Sequence, residues 1–293
     1  MSRLIISSSR RSGGSSRGRA VKRDLSGQAG LAGHRPVGPV SLTSMSAGNK
    51  RFWNEHAACY DSLYNSPWWQ LEDERIKDGL SELSLPKDRA AVVLDIGCGT
   101  GFLFRQLKAS NITCDYVGVD ISRQMLDHFD PPDEAGVKLV EADIADYEWH
   151  RDEPPDLIAS IYCPLSFSTE RWTVIHRLAN EQKAGGKLFL MLLNRYSLRR
   201  LLRLQLSSRG RYAPRERSED EKSGSATDVE VFYDRPAEVR AAVTEAGYQV
   251  TYLGGDGPLS GVLEKPSLWR ASAWLGTRSP MLSYSMIIIA EKI

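Results

Sequence analysis

Val92-Val93-Leu94-Asp95-Ile96-Gly97-Cys98-Gly99-Thr100-Gly101 is the stretch on which the reading of the fold turns. Residues 92–94 and 96 leave no polar face, the pattern of a parallel strand covered by helices on both sides. Three glycines at alternate positions then mark a turn that can take positive φ and let other atoms close on bare backbone. Phe102, Leu103, Phe104 and Leu107 follow at helical spacing. Strand, glycine turn and helix in this order predict the ligand-holding unit of an open parallel sheet.

The glycine spacing is discriminating. The dinucleotide fingerprint G-x-G-x-x-G needs a glycine where this chain has Phe102, which counts against NAD and FAD. No G-x-x-x-x-G-K-S/T occurs, so the chain has no P-loop. Working outward, strand patterns fall at 91–96, 115–120, 137–141, 156–161, 186–193, 248–253 and 282–291. Helical patterns fall between them at 101–109, 122–129, 169–183 and 235–246. This alternation predicts an α/β fold with a doubly wound, seven-stranded, mostly parallel sheet. No clear helical pattern separates the last two strands. Upstream, Phe52, Trp53, Ala57, Tyr60, Tyr64, Trp68, Trp69, Leu71, Ile76, Leu80 and Leu83 predict an N-terminal helical cap over 50–85, divided at Pro67 and ended by Pro86.

A chain of 293 residues with 41% hydrophobic and 26% charged content can bury a substantial core. Its net charge of +1 conceals a strong asymmetry. Residues 1–50 carry nine Lys/Arg against Asp24, and the remainder carries 29 basic and 36 acidic residues. An acidic body of net −7 is a poor match for a nucleic-acid backbone, so no nucleic-acid partner is expected. Residues 1–49, rich in Ser, Gly and Arg, read as a disordered tail before a single domain over 50–293. Two origins fit that tail: an organelle transit peptide over 1–44, or translation that starts at Met45. No apolar run is long enough for a transmembrane helix. Cys59, Cys98, Cys114 and Cys163 form no C-x-x-C pair and no zinc spacing, so reduced thiols, a cytoplasmic location and no metal site are expected.

D-x-G-x-G-x-G after an apolar strand resembles the first motif of the class I S-adenosylmethionine-dependent methyltransferases. The resemblance covers about residues 50–293 and is strongest over 91–161. It implies that the last strand enters the sheet antiparallel and that S-adenosylmethionine is the cofactor. Asp120 ends the second strand, 19 residues after Gly101. A carboxylate there can accept both hydroxyls of a ribose, or cap the helix that starts near Ser122. By the resemblance, Asp143 accepts from the adenine amino group and Ile144 packs on the ring. Asp95 orients the methionine end of the cofactor, with the alternative that it only holds the turn together. Gly97, Gly99 and Gly101 form the turn, and Cys98, Ile121 and Ile161 complete the cofactor wall.

Methyl transfer needs a general base only when the nucleophile must lose a proton, so the catalytic signature is faint. Tyr60, His56 and Tyr162 are the candidates, the first two because related enzymes close this cap over the cofactor. Trp68, Tyr162, Ser166 and Arg199 are candidates for holding the acceptor. For each, an ordinary structural role is the competing reading. The loop Tyr162-Cys163-Pro164-Leu165 after the fourth strand is not the D/N-P-P-Y/F tetrapeptide of amino-group methylation on DNA bases or protein glutamine. A small-molecule acceptor is therefore expected, with tRNA or protein methylation and a non-catalytic nucleotide-binding protein as alternatives. No oligomeric state is implied. The arginine-rich insertion over 194–226 begins as a basic amphipathic helix. It is a lid over an anionic acceptor, a solvated face, or a peripheral membrane contact through 195–206.

Overall fold

The computed structural model describes residues 42–63, 67–130, 135–212, 229–260, 262–263 and 265–293. The tail over 1–41, Tyr64 and residues 213–226 of the insertion lie outside them. Three cap helices come first: α1 (Leu42–His56), α2 (Tyr60–Leu63) and α3 (Pro67–Ser81). The alternating part follows as β1 (Ala91–Ile96), α4 (Phe102–Ala109), β2 (Cys114–Asp120), α5 (Arg123–Asp127), β3 (Val137–Glu141), β4 (Leu157–Ser160), α6 (Arg171–Glu181) and β5 (Lys187–Leu193). Then come α7 (Leu198–Leu202), β6 (Arg209–Tyr212), β7 (Val229–Phe232), α8 (Pro236–Glu245), β8 (Tyr248–Gly255), α9 (Pro266–Arg278) and β9 (Ser285–Lys292).

The seven-stranded sheet has the order β3-β2-β1-β4-β5-β9-β8. β9 runs antiparallel to both of its neighbours, and β1 to β5 are parallel. The sheet therefore has the expected doubly wound form with the last strand reversed. β1 lies inside it, between β2 and β4, and is buried at all six positions. Ala91 and Val93 face a core shared with Phe52, Ile76, Leu103, Phe104 and Leu107 from α1, α3 and α4. Leu94 and Ile96 face the opposite core, with Val174, Ile175 and Leu178 of α6 and Val239 and Val243 of α8. Apolar side chains on both faces of one strand are what a sheet covered on both sides requires.

The structure departs from the sequence reading in three places. First, α1 begins at Leu42, so residues 42–49, grouped with the tail by composition, are helical. Second, α9 is a 13-residue helix between the last two strands, where no helical pattern was visible. Beyond the buried Trp269 its pattern is inverted: Ser272, Ala273 and Gly276 face inward, while Leu268, Trp274 and Leu275 are exposed. The packing explains this. A Cβ on Gly276 would lie 2.4 Å from the Gly255 carbonyl oxygen and 2.6 Å from the Gly257 nitrogen, so only small residues fit against the end of β8. Third, the insertion does not form a long amphipathic helix. α7 has five residues, and β6 pairs antiparallel with β7.

Candidate functional site

The three glycines of the turn all adopt positive φ: +70° at Gly97, +52° at Gly99 and +90° at Gly101. An L-residue in this region costs about 1–2 kcal/mol. Space is equally restrictive at Gly97, where a Cβ would lie 2.3 Å from Pro164 Cβ. The turn is thus shaped to let the loop after β4 close on it. At the tip of β2, Asp120 accepts from the backbone N–H of Gly99 (Oδ2, 3.0 Å) and of Ser122 (Oδ1, 2.8 Å). Burial raises its pKa to about 6, opposed by these backbone hydrogen bonds. The cap of α5 is Ser122, whose hydroxyl accepts from the Met125 N–H, so capping that helix is not the task of Asp120.

A cavity of about 480 Å³ opens at the carboxyl ends of β1 to β4. That is within the range of small-ligand sites. Gly97, Gly99, Asp120, Ile121, Asp143, Ile144, Ile161, Tyr60 and Tyr162 all line it. So do Lys50, Trp53, Met125, Asp146, Phe167 and Glu170, which sequence reasoning did not single out. Asp120, Asp143, Asp146 and Glu170 face one lysine, Lys50, which is itself paired with Glu141 at 2.5 Å. The wall is therefore electronegative.

Several candidates lie elsewhere. Asp95 is buried behind the turn, where its carboxylate accepts from the Tyr116 hydroxyl at 2.5 Å. Burial is the chief cause that lifts its pKa to about 7; the Tyr116 hydrogen bond opposes this and the Asp120 charge adds to it. Cys98 points under the turn, with its sulfur 2.7 Å from where a Gly118 Cβ would stand. Gly101 packs against Phe129. Ser166 is fully buried and accepts the Leu193 N–H at 3.0 Å, a structural tie between its loop and β5. His56 Nδ1 lies 2.7 Å from the Phe52 carbonyl oxygen, and its ring stacks on Phe52. Arg199 reaches Tyr284, with its guanidinium carbon 5.8 Å from the ring centre. The Trp68 side chain falls outside the described residues.

The cap is clasped over the cavity by polar contacts. Asn49 Nδ2 donates to the Phe167 carbonyl (2.7 Å), Ser122 Oγ donates to Asn54 Oδ1 (2.6 Å), and Thr100 Oγ1 donates to Asp61 Oδ1 (2.9 Å). From α3, the Asp73 carboxylate accepts the hydroxyl of Tyr162. Burial, reinforced by Asp73, holds the Tyr162 phenol well above the usual tyrosine range. Burial raises Asp73 as well, against the Tyr162 hydrogen bond. Tyr162 and Cys163 both have positive φ, +62° and +65°. Consecutive left-handed non-glycine residues concentrate backbone strain at this loop. Behind Tyr162 lies a smaller cavity of about 30 Å³, with Trp53, Tyr60, Trp69, Glu72, Phe167 and Tyr284 on its wall. Glu72 is buried there and accepts from Ser285 Oγ at 3.1 Å.

Residues 93–186 match the family model described as a methyltransferase domain. No curated protein matches the chain closely enough to count as a relative. Among solved structures, the CcbJ methyltransferase of Streptomyces caelestis has 16% identity and a TM-score of 0.57, covering 82% of this chain and 97% of its own. Magnesium protoporphyrin IX methyltransferase of Synechocystis PCC 6803, solved with S-adenosylmethionine bound, has 14% identity and a TM-score of 0.52, covering 85% and 97%. The cyclase SpnF has 14% identity and a TM-score of 0.55, also covering 85% and 97%. At such identities the likeness establishes the fold, and the presence of a cyclase among these neighbours shows that one fold serves more than one chemistry.

Proposed function

We propose, for a chain that carries a class I S-adenosylmethionine-dependent methyltransferase domain, that the acceptor is a small molecule held under the cap at the aromatic end of the main cavity, beside Trp53, Tyr60, Tyr162 and Phe167. The observation that carries this reading is the roof. α1, α2 and α3 are clasped to the strand-end loops, so the acceptor side lies under a cap. An end of the cavity lined by Trp53, Tyr60, Tyr162 and Phe167 suits a compact partly apolar acceptor.

The residues on the main cavity fit the cofactor. Each oxygen of Asp120 accepts one backbone N–H, and an ionised carboxylate has about four acceptor sites, so capacity remains for ribose hydroxyls. Asp143 accepts the Ala145 N–H at 3.0 Å and keeps capacity for an adenine amino group, with Ile121 and Ile144 as apolar walls for the ring. The electronegative lining suits a cationic sulfonium. When bound, S-adenosylmethionine supplies an electrophilic methyl group for in-line displacement. The chain contributes position: alignment of nucleophile and methyl can supply roughly 7–11 kcal/mol. The Tyr162 hydroxyl donates its hydrogen bond to Asp73, which leaves the phenol oxygen as an acceptor able to orient the nucleophile's own N–H or O–H. Among the described residues no helix is long and apolar enough to cross a membrane. The four cysteines are free thiols, which supports a reducing, cytoplasmic setting.

The test is a screen with methyl-labelled S-adenosylmethionine against a metabolite extract, bulk tRNA and a protein fraction. Label in a low-mass product supports the proposal. Label in tRNA or protein alone replaces the acceptor reading. No binding of S-adenosylmethionine or S-adenosylhomocysteine by calorimetry would instead point to a chain that keeps the fold without the activity.

A further inference from the structure

Two segments of the chain share an unusual composition. Residues 195–212 carry six arginines and residues 265–282 carry Lys265, Arg270 and Arg278, and neither segment has a single Asp or Glu. The chain beyond residue 50 is otherwise acidic. The fold brings these two segments together. Asn194 Nδ2 donates to the Pro280 carbonyl (2.7 Å), and the Leu198 N–H donates to the Leu282 carbonyl (2.8 Å), so α7 lies beside the turn that leaves α9.

The same two segments expose large apolar side chains. Leu204 is 84% exposed, Leu202 65%, Met281 57% and Trp274 55%, with Leu206 and Leu275 close behind. This is not a consequence of sparse packing. α9 turns its small residues inward because the end of β8 leaves no room for a Cβ at Gly276, and that turns Trp274 and Leu275 outward. Leu204 is held at φ +53°, a conformation leucine rarely adopts, with its side chain in solvent. The backbone around it is anchored: Arg195 Nε donates to the Leu206 carbonyl, and Arg200, buried against the Tyr233 ring, donates to the Ser207 carbonyl. Arg278 stacks on Trp274, 3.6 Å from the ring centre.

We propose that this surface, α7 with its following loop and the outer face of α9, docks the protein on an anionic lipid surface. Arginines without acids match anionic headgroups, at several-fold in affinity per residue. Exposed leucines, a methionine and a tryptophan match the boundary between headgroups and acyl chains, where an amphipathic indole and long-stemmed arginines both sit well. A nucleic acid would reward the arginines but not the leucines, and the chain's own acidic run over 216–221 would do the same. The surface begins where β5 ends and reaches the small cavity behind Tyr162 through the Arg199–Tyr284 contact.

The test uses the full chain and sedimentation with vesicles of phosphatidylcholine alone or mixed with phosphatidylserine. Binding is expected to the mixed vesicles only and to weaken with salt. Leu204→Ser with Leu206→Ser, and separately Arg203→Glu with Arg278→Glu, should each lower partitioning by about tenfold or more. All four positions are on the surface. Unchanged circular dichroism and S-adenosylmethionine binding will report that the fold is intact. Three results would overturn the proposal. One is equal or absent binding to the two kinds of vesicle. Another is anionic binding that both variants retain, which would assign it to the basic head over residues 1–50. The last is binding lost with the arginines but kept with the leucine changes, the behaviour of a polyanion site.

Discussion

The two sides of the cavity are built by different means. On the cofactor side, Asp120 is held by N–H groups 21 residues away at Gly99 and two residues away at Ser122. The turn, the strand tip and the start of α5 form one short-range backbone construction. On the acceptor side, the ties are made by side chains to residues far along the chain: Tyr162 to Asp73 across 89 residues, Asn49 to the Phe167 carbonyl across 118, Ser285 to Glu72 across 213. The first side needs specific backbone conformations, which only a few residue types permit. The second needs only complementary side chains, and many pairs would serve. A fold can therefore keep its cofactor side while its acceptor side is rebuilt.

The harshest test of this contrast is Gly97→Ala. The substitution meets both a left-handed backbone and Pro164 at 2.3 Å, so strain and overpacking together should cost about 3 kcal/mol or more. Thermal unfolding should fall by many degrees, and S-adenosylmethionine binding should be lost with it. Gly185→Ala provides the control: φ is +86° and nothing lies within 4 Å, so only the backbone cost of about 1–2 kcal/mol remains. Equal losses in the two variants would mean that the contact between the turn and the Pro164 loop is not what makes the cofactor side rigid.

Next in size is Asp120→Ala. It strands the Gly99 and Ser122 N–H groups and removes the proposed ribose acceptor, at about 1–3 kcal/mol for the lost charged hydrogen bonds. Calorimetry should show S-adenosylmethionine binding weaker by roughly ten- to a hundredfold. An unchanged dissociation constant would assign Asp120 to the turn alone.

The same contrast explains what could be read from the sequence. The strand candidates match β1 to β5, β8 and β9 to within three residues, because a buried parallel strand must be apolar throughout and a glycine turn must follow it. Seven of the ten cofactor candidates reach the cavity wall. Asp95 does not, because a buried acid can be satisfied by a neighbouring strand, and no local spacing reveals that Tyr116 is the partner. Asp73 and Glu72 were invisible for the same reason, and Trp53 was read only as part of the cap: their role depends on how α1 and α3 cross the strand ends. α9 was missed because its inward face has one large apolar residue, Trp269, and continues with Ser272, Ala273 and Gly276, whereas apolar periodicity needs large residues to recur.

A pH experiment separates the buried layer behind the turn from the cavity wall. Asp95 has its pKa raised to about 7 in the folded protein, above its ordinary value of 3.8. The folded state thus holds a proton that the unfolded chain releases. The stabilisation from that proton is fully present below pH 3.8 and is lost as pH rises towards 7. Asp95→Asn keeps an acceptor for Tyr116 and removes the charge. It should stabilise the fold at pH 8 by on the order of 2 kcal/mol, read as a higher melting temperature, and leave the melting temperature nearly unchanged near pH 4. A wild-type and variant difference that does not vary with pH would show that Asp95 is not the titrating group.

The finest distinction concerns the acceptor side itself. If Asp73 acts only by orienting Tyr162, the two residues form one unit, and the unit fails when either half is lost. Tyr162→Phe and Asp73→Asn should then each lower kcat by about tenfold, the effect of one hydrogen bond of about 1.4 kcal/mol felt mainly in the transition state. The double variant should be no slower than the worse single one, since members of one network are not additive. S-adenosylmethionine affinity should stay within about threefold in all three, because none of these side chains belongs to the Gly99–Asp120 construction. Additive losses in kcat would break the unit apart. A parallel loss of cofactor affinity would mean that the Tyr162 loop, through Pro164 against Gly97, transmits strain from the acceptor side to the cofactor side, and that the two are coupled.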